Sequence, residues 1–201
     1  MAETGLCEME GHTITCQTSP NAKTIIKGKR VVLRPPVTSD CAEFLGVIRR
    51  SVDFNRGRAS PPITVKQFEA FMKRNAQPDG LGLLICRADD GAVMGSIALS
   101  QIFYSGFQSA YLGYQIGADF AGQGYMTEAI QLMLRHAFMN LKLHRLEANI
   151  QPDNAPSLAL VKRAGFTREG YSRRYLKICG RWRDHERWAI LADDWRKRRQ
   201  P

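Results

Sequence analysis

The stretch "ADFAGQGYMTEA", Ala118 to Ala129, decides how the rest of the chain is read. Gly122 and Gly124 flank Gln123, and a helical pattern starts directly behind them. Met126, Ala129, Ile130, Met133, Leu134, Ala137, Phe138 and Leu141 recur at three- and four-residue steps. That spacing predicts an amphipathic helix of about four turns. Ahead of the glycines, "YLGYQIG", Tyr111 to Gly117, reads as a strand. A strand-to-helix turn with bare backbone suits an anion. The first N–H groups of a helix have no internal partner, and the helix dipole favours negative charge there. Glycine lets a phosphate approach the backbone with no side chain in the way.

Several phosphate ligands compete for such a loop. A nucleotide P-loop needs G-x-x-x-x-G-K-[ST]. Gly117 and Gly122 keep that spacing, but Gln123 and Gly124 replace the lysine and the Ser/Thr, so ATP or GTP hydrolysis is not expected. A dinucleotide fingerprint needs G-x-G-x-x-G/A, and Thr127 holds its last position. A coenzyme pyrophosphate fits, and so does an ordinary tight turn capped by Thr127 and Glu128.

Outward from the loop, residues 1–23 read as a polar, flexible tail, and order begins near "TIIKGKRVVLRPP" with a strand at Val31–Leu33. "TSDCAEFLGVIRR" carries a Thr38/Ser39 cap signal and a helix. A second helix runs from about Thr64 until Pro78-Asp79-Gly80 ends it. "LGLLICRADDGAVMGSIALSQIFY" is a hairpin turning at Asp90-Gly91. After the central helix, "HRLEANIQ" is a strand. "DNAPSLALVKRAG" is a short helix with an Asp153/Asn154 cap signal and Gly165 as its stop. Two strands around Gly180 follow, and residues 196–201 read as a basic tail. The order of strand, two helices, three strands, helix, strand, helix and two strands predicts one mixed α/β (α+β) domain over residues 24–195.

The 201 residues are enough for one full core, and 44% hydrophobic content excludes a disordered chain. A net charge of +10 points to polyanionic surroundings such as RNA or an anionic ligand. Five scattered cysteines form no C-x-x-C, so no metal site is expected and a reducing cytoplasm is. The first 23 residues carry no apolar signal-peptide core, and no apolar run approaches the ~20 residues of a membrane helix.

With "LHRLEANIQPDNAPSLALVKRAGFTREG" behind it, the loop resembles the acetyl-CoA-dependent GNAT N-acyltransferases, over roughly residues 28–195. The stretches "YLGYQIG", "EGYSRRYL" and "GRWRDH" are similar to the RimJ/RimL branch, the ribosomal-protein N-terminal acetyltransferases. The resemblance implies a GNAT fold: a mixed, mostly antiparallel twisted sheet of about six or seven strands with about four helices. It implies acetyl-CoA as co-substrate, held by Gln115, Ile116 and Gly117 at the strand edge. The loop and helix start, Gly122, Gln123, Gly124, Tyr125, Met126 and Thr127, and then Asn154 and Ser157 complete the grip. The family's loop pattern is R/Q-x-x-G-x-G/A. Ala121 replaces its first residue and Met126 its last. The superfamily's common tyrosine acid falls at Val161, and its frequent glutamate base at Asn149.

Acetyl transfer to an amine needs a neutral amine, an oxyanion donor and a proton for the leaving thiolate. The resemblance places the oxyanion N–H near Gln115 to Gly117 and Ser157 near the sulfur. Ser157 also fits a helix serine bonding its own backbone, and Asn154 an N-cap. Glu147 and Asn149 alternate with apolar neighbours and share one strand face, where either could hold a water that takes the amine proton. Glu147 equally fits an ion pair with Arg145. The expected acceptor is a protein N-terminus, of a ribosomal protein on the resemblance, with a weak RNA contact through basic surface and a monomer or homodimer as the assembly. A small amine as acceptor, or a coenzyme-binding or ribosome-associated module with little catalysis, are the competing readings.

Overall fold

The computed structural model describes residues 24–58 and 61–199. The expected tail over residues 1–23 lies outside them. Among the described residues eight strands form one sheet in the order β1-β2-β3-β4-β5-β6-β8-β7. They are β1 (Ile26–Lys27), β2 (Val31–Arg34), β3 (Leu81–Arg87), β4 (Val93–Phe103), β5 (Ser109–Ile116), β6 (Arg145–Ile150), β7 (Thr167–Ile178) and β8 (Arg181–Leu191). Five α-helices accompany them among the described residues: α1 (Cys41–Arg50), α2 (Val65–Asn75), α3 (Tyr125–Arg135), α4 (Ala155–Ala164) and α5 (Ala192–Lys197). The counts exceed the expected six or seven strands and four helices because short elements escape a periodicity reading. β1 has two residues and α5 has six.

β3 shows why its sequence is an unbroken apolar run. Leu81, Leu83 and Ile85 enter one core with α3, whereas Leu84 and Cys86 enter another with α1 and α2. A strand buried on both faces has no polar side to alternate with. The second core is aromatic: Phe44 of α1 stacks on Phe71 of α2 with ring centroids 5.7 Å apart. Thr64 caps α2 by accepting from the Gln67 N–H at 3.3 Å, while Gln67 returns the bond to the Thr64 N–H. Thr38 and Ser39 do not cap α1. They lie in a 3-10 turn closed by Asp40, whose carboxylate accepts from the Val37 N–H and pairs with Arg34 through two bonds of 2.7 Å.

The pairing is antiparallel throughout except between β5 and β6. That parallel pairing needs a crossover, and α3 supplies it. The central helix departs from its expected four turns. After Arg135 it widens into a π-helical turn over His136–Asn140, with the Leu141 N–H reaching back to the His136 carbonyl at 3.1 Å. At the chain end Arg196 and Lys197 belong to α5, and the adjoining Trp195 is buried against Phe138.

Candidate active site

The glycine loop has the geometry its sequence demands. Gly122 at φ 75° and Gly124 at φ 85° both occupy the left-handed region, where a Cβ is strained. A Cβ on Gly122 would meet nothing within 4 Å, so its outer side is open. The first backbone bond of α3 joins the Glu128 N–H to the Gly124 carbonyl at 3.2 Å. The N–H groups of Tyr125, Met126 and Thr127 therefore have no partner inside the helix. The Glu128 carboxylate does not cap them. It turns to β2 and accepts from the Arg30 N–H at 2.8 Å and the Val31 N–H at 3.3 Å.

A cavity of about 420 Å³ opens at this helix start. Gln115, Ile116, Gly122, Gly124, Met126, Thr127, Asn154 and Ser157 line it. Three of the named residues have side-chain and backbone duties elsewhere. The Gly117 N–H is committed to the Met94 carbonyl at 2.8 Å, so it is not an oxyanion donor. Gln123 braces the loop: its amide donates to the Asp119 carbonyl at 2.8 Å, and its own carbonyl accepts from Arg30 at 3.0 Å. The Tyr125 ring lies under the Arg30 guanidinium, 4.2 Å from the centroid. Sequence reasoning missed Asn55, Arg58 and Arg163 in this cavity. Asn55 Nδ2 is a buried donor without a partner, and the two guanidiniums supply positive charge. Left-handed glycines, unpaired helix-start N–H groups, an orphaned donor and two cations fit a ligand carrying phosphates and amides.

Beside this cavity the sheet parts. β5 pairs with β6 only over Ser109–Arg145, Ala110–Leu146 and Tyr111–Glu147. Beyond Tyr111 the strands diverge. The Gly117 N–H points to β4, so strand alternation turns the N–H groups of Tyr114 and Ile116 into the gap. Those two, and not Gly117, are the edge groups open to an extended ligand or a developing oxyanion.

Tyr114 is the residue that no local motif announces. Its Oη lies 2.6 Å from Ser157 Oγ, across the gap from β5 to the first turn of α4. Ser157 Oγ is therefore turned toward a phenol and not folded onto its own helix. The Ser157 N–H satisfies Asn154 Oδ1 at 3.4 Å, which makes Asn154 the N-cap as well as a lining residue. Burial pushes the Tyr114 phenol up to about 12, with the Ser157 hydrogen bond pulling the other way, so the phenol keeps its proton throughout the neutral range. Val161, where the superfamily's tyrosine falls, is fully buried core. A phenol nonetheless reaches the site, from β5 and not from α4.

A second cavity of about 320 Å³ shares Tyr114, Gln115, Asn154 and Ser157 with the first and extends over β6 and β8. Asn149 lines it, and its Oδ1 is buried with no hydrogen-bond partner. His185 lines it too. Glu147 does not reach it. Its carboxylate accepts from Arg145 Nε at 3.0 Å, and Arg145 also bonds Glu169 of β7. The ion-pair reading of Glu147 is the one realised. No aspartate or glutamate lines this cavity among the described residues, whereas Arg58 and Arg74 do.

A parted parallel pair beside a glycine-rich helix start defines an acyl-coenzyme-dependent transferase architecture. The chain belongs to the GNAT acetyltransferases: residues 30–167 match the acetyltransferase (GNAT) domain, and the protein is an N-acetyltransferase. It is 35% identical over 178 residues to the probable N-acetyltransferase YjcK of Bacillus subtilis, covering 85% of this chain and 98% of that one. It is 38% identical over 107 residues to the [ribosomal protein uS5]-alanine N-acetyltransferase of Escherichia coli, covering 53% of this chain and 55% of that protein. Among solved structures it resembles Mycobacterium smegmatis RimJ in complex with CoA-disulfide, with a TM-score of 0.80, 26% identity, and coverage of 88% and 91%. No helix among the described residues is long and apolar enough to cross a membrane.

Proposed function

We propose that the protein acetylates the α-amine at a protein N-terminus, with a ribosomal protein as the acceptor class, by direct transfer in a ternary complex with acetyl-CoA. The carrying observation is the meeting of two cavities at the Tyr114–Ser157 pair. One cavity suits the coenzyme and the other an acceptor. Acetyl-CoA supplies the activated acyl group. The loop N–H groups hold its pyrophosphate, the Tyr114 and Ile116 N–H groups face the pantetheine and the reacting carbonyl, and the Ser157 hydroxyl provides the proton for the departing sulfur.

The lining of the acceptor cavity favours an α-amine. An α-amine has a pKa of about 7.7–8.0, and lysine one near 10.4. Roughly one α-amine in ten is neutral at pH 7, against a few lysines in ten thousand. A lysine would need a strong base, and no carboxylate stands among the described lining residues. Arg58 and Arg74 would repel a polycationic small amine. The uS5-alanine activity named for the Escherichia coli relative supports the ribosomal acceptor. Exposed cations such as Arg173, Arg174, Arg181 and Lys197 would add a weak, salt-dependent contact with RNA beside that acceptor.

Two peptides of one ribosomal-type sequence test the reading, one with a free N-terminus and a blocked lysine, the other reversed. Faster acetylation of the free N-terminus is expected. Faster acetylation of the lysine overturns it, and activity on neither moves the assignment to a small amine or to a module without catalysis.

A further inference from the structure

His185 stands in the wall of the acceptor cavity on β8 and is 2% exposed. Its Nδ1 lies 3.0 Å from the Arg183 carbonyl oxygen. A carbonyl only accepts, so Nδ1 carries the ring proton and Nε2 is left with a lone pair. The ring of Tyr175, from β7, packs beside it at 5.8 Å between centroids. Pairing of β6 with β8 sets Asn149 opposite Arg187, which places Asn149 and His185 diagonally on one side of neighbouring strands. Asn149 Oδ1 is the orphaned buried oxygen of the same cavity. A buried carbonyl oxygen without a donor is unfavourable, and an amine N–H is its complement. The cavity that holds both ends at Ser157 and Tyr114, where the acyl group is transferred.

We propose that His185 is the general base for the acceptor: Asn149 Oδ1 holds one N–H of the incoming ammonium, and His185 Nε2 takes a proton from it. The assignment rests on the acetyl-transfer reading of the site. Two protons leave the ammonium in the full reaction. The first passes to Nε2 and on to solvent, which frees the nitrogen lone pair to form the C–N bond. The second leaves the nitrogen as the C–S bond breaks and replaces the proton that Ser157 gives the sulfur.

The surroundings keep the imidazole in its basic form. Burial holds it below the usual histidine range, opposed by the Arg183 carbonyl and by Asp184. Asp184 itself is engaged by the Tyr171 hydroxyl and the Arg174 N–H. The charged groups that line the cavity are the Arg58 and Arg74 guanidiniums, and Arg187 shares this face of β8; such cations disfavour an imidazolium, while Tyr114 lines the cavity and Tyr175 packs against the ring.

The test is the pH profile of kcat/KM for His185→Gln with a free-N-terminus peptide. Without the base only the neutral acceptor reacts, about one molecule in twenty at pH 6.5 for an amine of pKa about 7.8. A loss of about 20-fold at pH 6.5, shrinking to twofold or less near pH 9, is expected. Coenzyme affinity by calorimetry should stay within about twofold of the parent. An acceptor whose amine is acidified by an electron-withdrawing substituent should show no loss even at pH 6.5. An equal loss at every pH assigns His185 to structure and overturns the proposal. Nitrogen-15 spectra of the histidine-labelled parent give a reading independent of turnover. A proton on Nδ1 and titration below pH 6.5 are expected, and a proton on Nε2 overturns the proposal even if the variant fails to fold. If the parent acetylates small amines but no peptide, the N-terminal acceptor falls while the same profile, run on the small amine, still decides His185.

Discussion

Removing Tyr114 Oη and Ser157 Oγ singly and together tests whether the phenol acts through the serine. Ser157→Ala deletes the proton source for sulfur. General acid catalysis contributes about 10²–10⁴-fold. The lower figure, about 2.7 kcal/mol at 1.36 kcal/mol per decade, is expected here because water can reach an open cavity. Tyr114→Phe leaves the serine in place but takes away its 2.6 Å partner. One such bond contributes about 0.5–1.5 kcal/mol net, a loss of roughly twofold to twelvefold in kcat. The double variant should be no slower than Ser157→Ala alone, because the phenol has no further task once the serine is gone. Thiol release at saturating peptide measures kcat, and calorimetry measures coenzyme affinity, which should change by less than about threefold since a proton to sulfur matters only as the bond breaks. Losses that multiply in the double variant would refute the relay. A fall in coenzyme affinity equal to the fall in kcat would return both residues to a binding role.

Gly124→Pro removes an N–H from the loop and cannot adopt φ 85°, so coenzyme affinity should fall at least tenfold, about 1.4 kcal/mol, by calorimetry on a folded variant. Asp40→Ala strands the Arg34 guanidinium and the Val37 N–H, and chemical denaturation should show a loss of about 1.5–3 kcal/mol. Burial works against the Asp40 carboxylate, but Arg34 and the Val37 N–H outweigh it and hold its pKa low, so this contribution is present above the unfolded value and fades as pH falls through the folded one. Tyr114 gives the opposite sign. Its raised folded pKa means that stability is retained below pH 10 and declines between about 10 and about 12, and Tyr114→Phe should flatten that alkaline limb in thermal melts.

The parts of this site that lie within one stretch of chain were legible in the sequence. The loop glycines, the unpaired start of α3 and the Asn154 cap depend on neighbours a few residues away, and chain chemistry announces them. What depended on strand register was not legible. The Glu147–Arg145 pair was one of the readings the strand offered, but the Glu169 that holds Arg145 in place comes from a strand more than twenty residues on and was not foreseen. Tyr114 meets Ser157 across 43 residues, and no spacing rule connects them. The two strands around Gly180 were legible, but that His185 of β8 faces the cavity beside Asn149 depends on the pairing of β8 with β6, which no local pattern announces. Within the range Gln115 to Gly117 the sequence could not say which N–H is open: in a strand the N–H direction reverses at every residue, so Ile116 faces the gap while Gly117 is bonded to Met94.

The parting of β5 and β6 also sets how firmly the molecule holds itself together. A sheet closes by pairing each edge with the next, and here the edge at Tyr114 and Ile116 is left for something outside the chain to pair. A molecule that binds there only in the folded state adds its binding free energy to the fold, about 2.7 kcal/mol when its concentration is a hundred times its Kd. Resistance to heat and to proteases then follows the supply of the occupant. The unfilled chain and the filled chain are one sequence with two melting temperatures, and the difference between them measures how much of the sheet the ligand provides.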